Sequence, residues 1–101
     1  MTNREICLKA AQRLREVGWR QNKYGPEQGP HCMVGACRWA AGYFAAPLTA
    51  THAELDQAGH AASSAVANVV RPRRGAIAAS FWNDAPGRTA EEVIAALEAC
   101  P

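Results

Sequence analysis

What this chain has little of narrows its role before any motif is read. It has almost no excess of charge: 11 Lys and Arg stand against 9 Asp and Glu, leaving +2. That is too little to draw a chain to nucleic acid or to a membrane surface by charge alone. It also lacks long apolar runs. None approaches the roughly 20 residues that cross a bilayer, and the opening Met-Thr-Asn-Arg-Glu leads into an amphipathic pattern without the apolar core of an export signal. Large apolar side chains are scarce as well. Of the residues counted as hydrophobic, 22 are Ala and 4 are Cys. No two cysteines have C-x-x-C spacing, which argues against a zinc knuckle or a thioredoxin-like site. Strand-like alternation and internal repeats are absent too.

What remains points to helix. Alanine is the strongest helix former, and few β-branched residues oppose it. With 101 residues the chain has room for one domain, and its apolar content is well above that of a disordered segment. The expected fold is all-α: a compact bundle of four to five short helices over residues 1–101, with an irregular loop at about 18–31. The expected compartment is the cytoplasm, where Cys7, Cys32, Cys37 and Cys100 stay reduced.

Three stretches carry the same helix-start signature: Thr2-x-x-Glu5, Thr51-x-x-Glu54 and Thr89-x-x-Glu92. In this capping box the Thr hydroxyl accepts from the amide three residues on, and the Glu carboxylate reaches back to the Thr amide. The apolar spacing predicts a first helix over 3–17, with Ile6, Ala10, Leu14 and Val17 on one face and Gly18 ending it. A second helix is expected from His31 to Phe44, slim because of Gly35, Ala36, Ala40, Ala41 and Gly42. A third is expected from His52 to Val70, burying Leu55, Ala58, Ala62, Val66 and Val69 or Val70. A short fourth, over 76–82, would turn Ile77 and Phe81 inward. The last, over 90–99, would bury Val93, Ile94 and Leu97. The two central helices are expected to meet through Gly35, Ala36 and Ala40 against a row of alanines at 58, 62 and 65.

Three blocks occur in order along the chain: Ala-Ala-x-x-Leu-x-x-x-Gly-Trp-x-Gln at 10–21, Cys-x-x-Gly-Ala at 32–36, and Trp-Asn-Asp-x-Pro-Gly-Arg-Thr-x-x-Glu-Val at 82–93. Together they resemble an uncharacterised family of small proteins from actinobacteria and their phages. The resemblance covers most of the chain and is most specific in the last block. It implies a cytoplasmic α-helical domain and no particular activity. The stretch between the last two blocks is short for that family.

The candidate binding residues are Trp82, Asn83, Asp84 and Arg88, joined by Trp19, Tyr24 and Cys32. They would form a surface from the 20–30 loop, the start of the second helix and the 82–88 turn. Arg88 would hold an anion in bidentate fashion, and the rings would add apolar contact. A structural reading stands beside this: Asn83 capping the fourth helix, Trp82 in the core, and Asp84 paired with Arg88 to fix the turn. No catalytic residue is assigned. The enzymatic alternative is a hydrolase or transferase with Cys32 as nucleophile at a helix N-terminus, His31, His52 or His60 as base, and Asn83 or Asp84 orienting it. Against it, Cys-x-x-Gly-Ala also suits a tight buried seam. His52, Asp56 and His60 are spaced at i, i+4 and i+8, but a helix turns too far over eight residues for all three to share a metal, and no metal or other cofactor is assigned. Arg71, Arg73 and Arg74 form a basic turn whose alternative role is weak nucleic-acid binding, although the preceding helix offers little positive charge for reading DNA. The expected function is therefore non-enzymatic: an accessory or phage protein that binds a protein partner or a small anionic ligand. Its glycine-bearing helices also suit a homodimer seam.

Overall fold

A computed structural model describes residues 1–45, 50–70 and 78–101. Five helices follow one another: α1 (Asn3–Val17), α2 (Met33–Ala41), α3 (Ala50–Val70), α4 (Ala79–Asn83) and α5 (Ala90–Glu98), with a 3-10 turn over Tyr43–Ala45 between α2 and α3. There is no strand among the described residues. The fold is all-α.

The capping chemistry sets two of the helix starts. At α1 the Thr2 amide donates to Glu5 Oε1 at 2.8 Å, and the Glu5 amide donates to Thr2 Oγ1 at 3.1 Å. Thr89 and Glu92 repeat the arrangement at α5, at 3.0 and 3.2 Å. The middle Thr-x-x-Glu does not mark a start, because α3 already includes Ala50 and Thr51. The spacing alone could not separate a first helical turn from the cap before it. At the other end of α1, Gly18 has φ +96° and donates to Leu14 O at 2.9 Å.

The second helix is shorter than its apolar pattern suggests. It starts at Met33 rather than His31, and it stops at Gly42, whose φ of +98° is left-handed. Gly42 is thus a C-terminal cap and carries no helix-interior penalty. Tyr43 and Phe44 lie in the 3-10 turn that follows.

Burial sorts the faces. Ile6, Ala10 and Leu14 of α1, Ala36 and Ala40 of α2, Ala62 and Val66 of α3, and Val93 and Leu97 of α5 meet in one core. On α3 the buried line runs through Gly59, Ala62, Ser63, Val66 and Ala67, while Leu55 and Ala58 are half-buried and Val69 is exposed. The glycine that brings α2 and α3 together is Gly59, not Gly35. A Cβ on Gly59 would stand 2.8 Å from Arg38 Cα, whereas one on Gly35 would collide with the Tyr24 carbonyl oxygen in the preceding loop.

The fourth helix corrects a second expectation. Ala79, Trp82 and Asn83 are buried, so the i, i+3, i+4 face of α4 is the inner one and Phe81 points out, 74% exposed. Ile77 lies outside the described residues.

Gly59→Ala tests the close approach. Helix propensity alone would favour Ala by about 1 kcal/mol. The clash with the Arg38 backbone should outweigh this, because overpacking costs roughly 1–3 kcal/mol. The expected outcome is a fall in Tm; a rise would mean that α2 and α3 do not touch at this point.

Candidate functional site

The chain from 18 to 32 is a loop closed at its neck. The His31 amide donates to Gly18 O at 3.2 Å and the Arg20 amide donates to His31 O at 3.0 Å, a single parallel bridge between Trp19 and His31. Inside the loop the Cys32 amide donates to Tyr24 O at 3.4 Å. From α1, Arg13 reaches over: one guanidinium nitrogen donates to Glu27 O at 2.8 Å and Nε donates to His31 Nε2 at 3.4 Å.

Asn83, the last residue of α4, is fully buried and joins this loop to the helices. Its Oδ1 accepts from Trp19 Nε1 at 2.6 Å and from the Met33 amide at 3.0 Å. Its Nδ2 donates to Arg20 O and to Asp84 Oδ1, both at 3.0 Å. One carboxamide thereby uses two donors and two acceptor positions, its full capacity. Around it, Gln21 Nε2 donates to Asn83 O at 3.1 Å and Ala85 O at 3.0 Å, and the Asn22 amide donates to Asp84 Oδ1 at 2.8 Å. The Gly-Trp-x-Gln block, the start of the Cys-x-x-Gly-Ala block and the Trp-Asn-Asp turn are therefore parts of one clasp.

The three segments expected to form a surface do meet. Asn22, Lys23 and Tyr24 from the loop, Cys32 from the start of α2, and Ser80 and Asp84 from the α4 turn line a hollow of about 60 Å³. That is room for about two water-sized groups. Cys32 is the N-cap of α2, its Sγ accepting from the Gly35 amide at 3.4 Å. Burial pushes its thiol up from the ordinary range. The Gly35 and Val34 amides pull it back, and the charge of Asp84 adds to the rise.

A family model matches residues 1–100, described as a family of unknown function, DUF6197. The chain belongs to that family. No curated protein and no solved structure matches it.

In this DUF6197 chain the other candidate residues lie as follows. Arg88 does not pair with Asp84. Its Nε donates to Trp82 O at 3.0 Å, its NH1 reaches Glu92 Oε2 at 3.0 Å, and the guanidinium lies 3.9 Å from the centre of the Trp82 ring. None of the three histidines lines the hollow beside Cys32. His31 is bonded to Arg13, His52 stacks on Tyr43 with centroids 4.0 Å apart, and His60 faces Asp56 at 3.5 Å. Asp56 holds Arg38 Nε at 2.8 Å, and among the described residues no three His, Cys, Asp or Glu are placed to hold a metal. Arg71, Arg73 and Arg74 fall outside the described residues.

Two arrangements have no signature in the sequence. Arg38 stacks on Tyr43 at 3.8 Å and lies 5.2 Å from the centre of the Tyr24 ring, tying the loop to α2 and the 3-10 turn. Trp39 sits under Lys9 and Arg13 of α1 at 5.3 and 4.2 Å, beside a hollow of about 130 Å³. Apart from the Arg38–Tyr43 pair, five positions apart, these contacts join residues far apart in the chain. The only local hint is the i, i+4 spacing of Lys9 and Arg13.

Asn83→Ala should destabilise the fold by about 3 kcal/mol or more, because it leaves the Trp19 indole N–H, the Met33 amide and the Arg20 carbonyl without their partner. Trp19→Phe removes a single bond and should cost about 1 kcal/mol in urea unfolding, apart from any packing change. His31 gives a pH signature. Burial, and then the Arg13 charge, hold its imidazole below the ordinary His value. The unfolded chain therefore takes up a proton first, below about pH 6.5. Stability should be complete above that pH and decline as pH falls toward the folded-state value. The urea midpoint should show this early decline, and His31→Gln should remove it. A further loss should follow at lower pH, as Glu5, Glu92 and Glu98, all held below the usual carboxylate range by hydrogen bonds from Thr2, Thr89 and Arg15, become protonated.

Proposed function

We propose that this protein is a non-enzymatic binding module of the actinobacterial or phage cytoplasm, and that it docks a protein partner through the loop at 22–24 and the α4 turn. The observation that carries this reading is Phe81. It is a large apolar side chain standing 74% exposed on a turn whose neighbours Ala79, Trp82 and Asn83 are buried. Ser80 and Asp84 on either side of it line the hollow with Lys23 and Tyr24, and Tyr24 is itself 38% exposed.

Aromatic anchors on rigid supports dominate protein interfaces, since little ordering entropy is lost when they dock. The clasp around Asn83 supplies that rigidity. The partner it suits offers an apolar cleft for Phe81.

Other features weigh against the rival readings. Arg88 is already engaged by Trp82 and Glu92, and Asp84 opposes Lys23 in the hollow, so an anion finds little net attraction there. A nucleophilic Cys32 would need a lowered thiol pKa and an imidazole beside it; its thiol is raised.

Co-purification with the full chain tests the proposal. Wild type and a Leu8→Ser control on α1 should retain the same partner, and Phe81→Ser should lose it with its circular dichroism unchanged. Equal recovery with Phe81→Ser would overturn the reading, as would alkylation of Cys32 in the folded protein with a midpoint well below the ~8.5 of a free thiol. Self-association that disappears in Phe81→Ser would identify the partner as a second copy.

A further inference from the structure

Lys9, Gln12, Arg13 and Glu16 of α1 fall at i, i+3, i+4 and i+7, so they share one face of the helix. With the half-buried Trp39 of α2 they line the hollow of about 130 Å³. That is room for about four water-sized groups, the bulk of one small oxyanion. The hollow is separate from the one beside Cys32, with which it shares no lining residue.

Two cations set its character. Lys9 Nζ lies 5.3 Å and the Arg13 guanidinium 4.2 Å from the centre of the Trp39 ring. Contact with the ring steadies both side chains, and Arg13 is fixed further by its bonds to Glu27 O and His31 Nε2. Neither cation meets a carboxylate: among the described residues the ion pairs use Arg15, Arg38, His60 and Arg88. Among the same residues Arg13 spends Nε and NH2 on the loop and keeps NH1 for another acceptor. Like charges one turn apart cost a helix stability. An anion between them removes that cost, and it meets side chains that have already given up much of their freedom.

Glu16 narrows the choice of anion. Its Oε1 accepts from Gln12 Nε2 at 3.3 Å, and its negative charge borders the hollow. That carboxylate repels a fully ionised oxyanion such as sulfate, which has no proton to give it. Hydrogen phosphate keeps one proton at neutral pH. Its O–H can donate to Glu16 while its other oxygens accept from Lys9 and Arg13. We propose that this hollow is a binding site for inorganic phosphate. Lys9 and Arg13 grip the anion, Trp39 forms the floor, and Glu16 is the acceptor that distinguishes phosphate from sulfate. The site is independent of the docking surface around Phe81.

The test follows the tryptophan indole N–H signals of the full chain by NMR, with Trp39 assigned through Trp39→Phe. Sodium phosphate is titrated in at neutral pH, with sodium chloride holding the ionic strength constant. The Trp39 signal should shift and saturate while those of Trp19 and Trp82 stay in place. Lys9→Gln changes an exposed side chain outside the core and should weaken phosphate binding about tenfold, the loss expected for one charge-assisted hydrogen bond. Sulfate should bind about tenfold more weakly than phosphate, and Glu16→Gln, which removes the repelling charge, should close that gap. A Trp39 signal that does not move, equal response to sulfate and phosphate in the wild type, unchanged affinity in Lys9→Gln, or a preference for phosphate that survives Glu16→Gln would each overturn the proposal.

Discussion

A single buried carboxamide holds this fold in register. Asn83 accepts from the Trp19 indole and the first amide of α2, and it donates to the Arg20 carbonyl and the Asp84 carboxylate. Each partner belongs to a segment with no regular structure of its own or to the end of a helix. Such groups are costly to bury unpaired. No other side chain of similar size offers two acceptor positions and two donors on one planar group: Asp lacks the donors and Leu lacks both. The placement of the 18–32 loop, the start of α2 and the end of α4 thus depends on one residue. Asn83 itself holds the clasp firmly, because all four of its side-chain hydrogen-bonding positions are used.

The rest of the core is thin, and its economy depends on close approach. With Ala at so many buried positions, apolar area per residue is low, and helices gain contact by bringing backbones together. Gly59 against Arg38 and Gly35 against the Tyr24 carbonyl are two places in α3 and α2 where no Cβ fits. The first joins helix to helix and the second joins helix to loop. Arg38 reinforces both: its backbone receives Gly59, and its guanidinium stacks on Tyr43 while pairing with Asp56.

The fold was legible where its causes are local. The all-α class, the limits of α1, the caps at Thr2 and Thr89 and the glycine after Val17 follow from spacing and propensity. Local signals failed where two neighbouring residues compete for one role. Thr51 fits a cap, yet α3 begins before it. Gly42 fits a costly interior glycine, yet its left-handed backbone ends α2. Phe81 fits a core position by hydrophobicity, yet Trp82 and Asn83 take the inner face of a helix of five residues, and one turn cannot bury all three. For the candidate site, the motif blocks were readable as blocks and their meeting at position 32 beside the 82–84 turn was expected. The reason for the meeting was not, since a hydrogen bond between residues 19 and 83 leaves no periodic trace in a sequence.

The clasp also bears on how the residues of the three sequence blocks are read. Polar side chains in a turn beside a tryptophan suggest a ligand site when only the sequence is known. Here Asn83, Gln21, Asp84 and Arg88 direct hydrogen bonds inward, to the backbone of residues 20–22 and 82–85 and to each other. A group already bonded to the fold must break that bond to hold a ligand, so the gain from binding is reduced by the bond given up. Groups without such commitments bind more cheaply. Around this clasp the largest exposed apolar group is the Phe81 ring, on a support that the inward bonds keep still. The same residues that argue against chemistry at the turn therefore argue for recognition beside it.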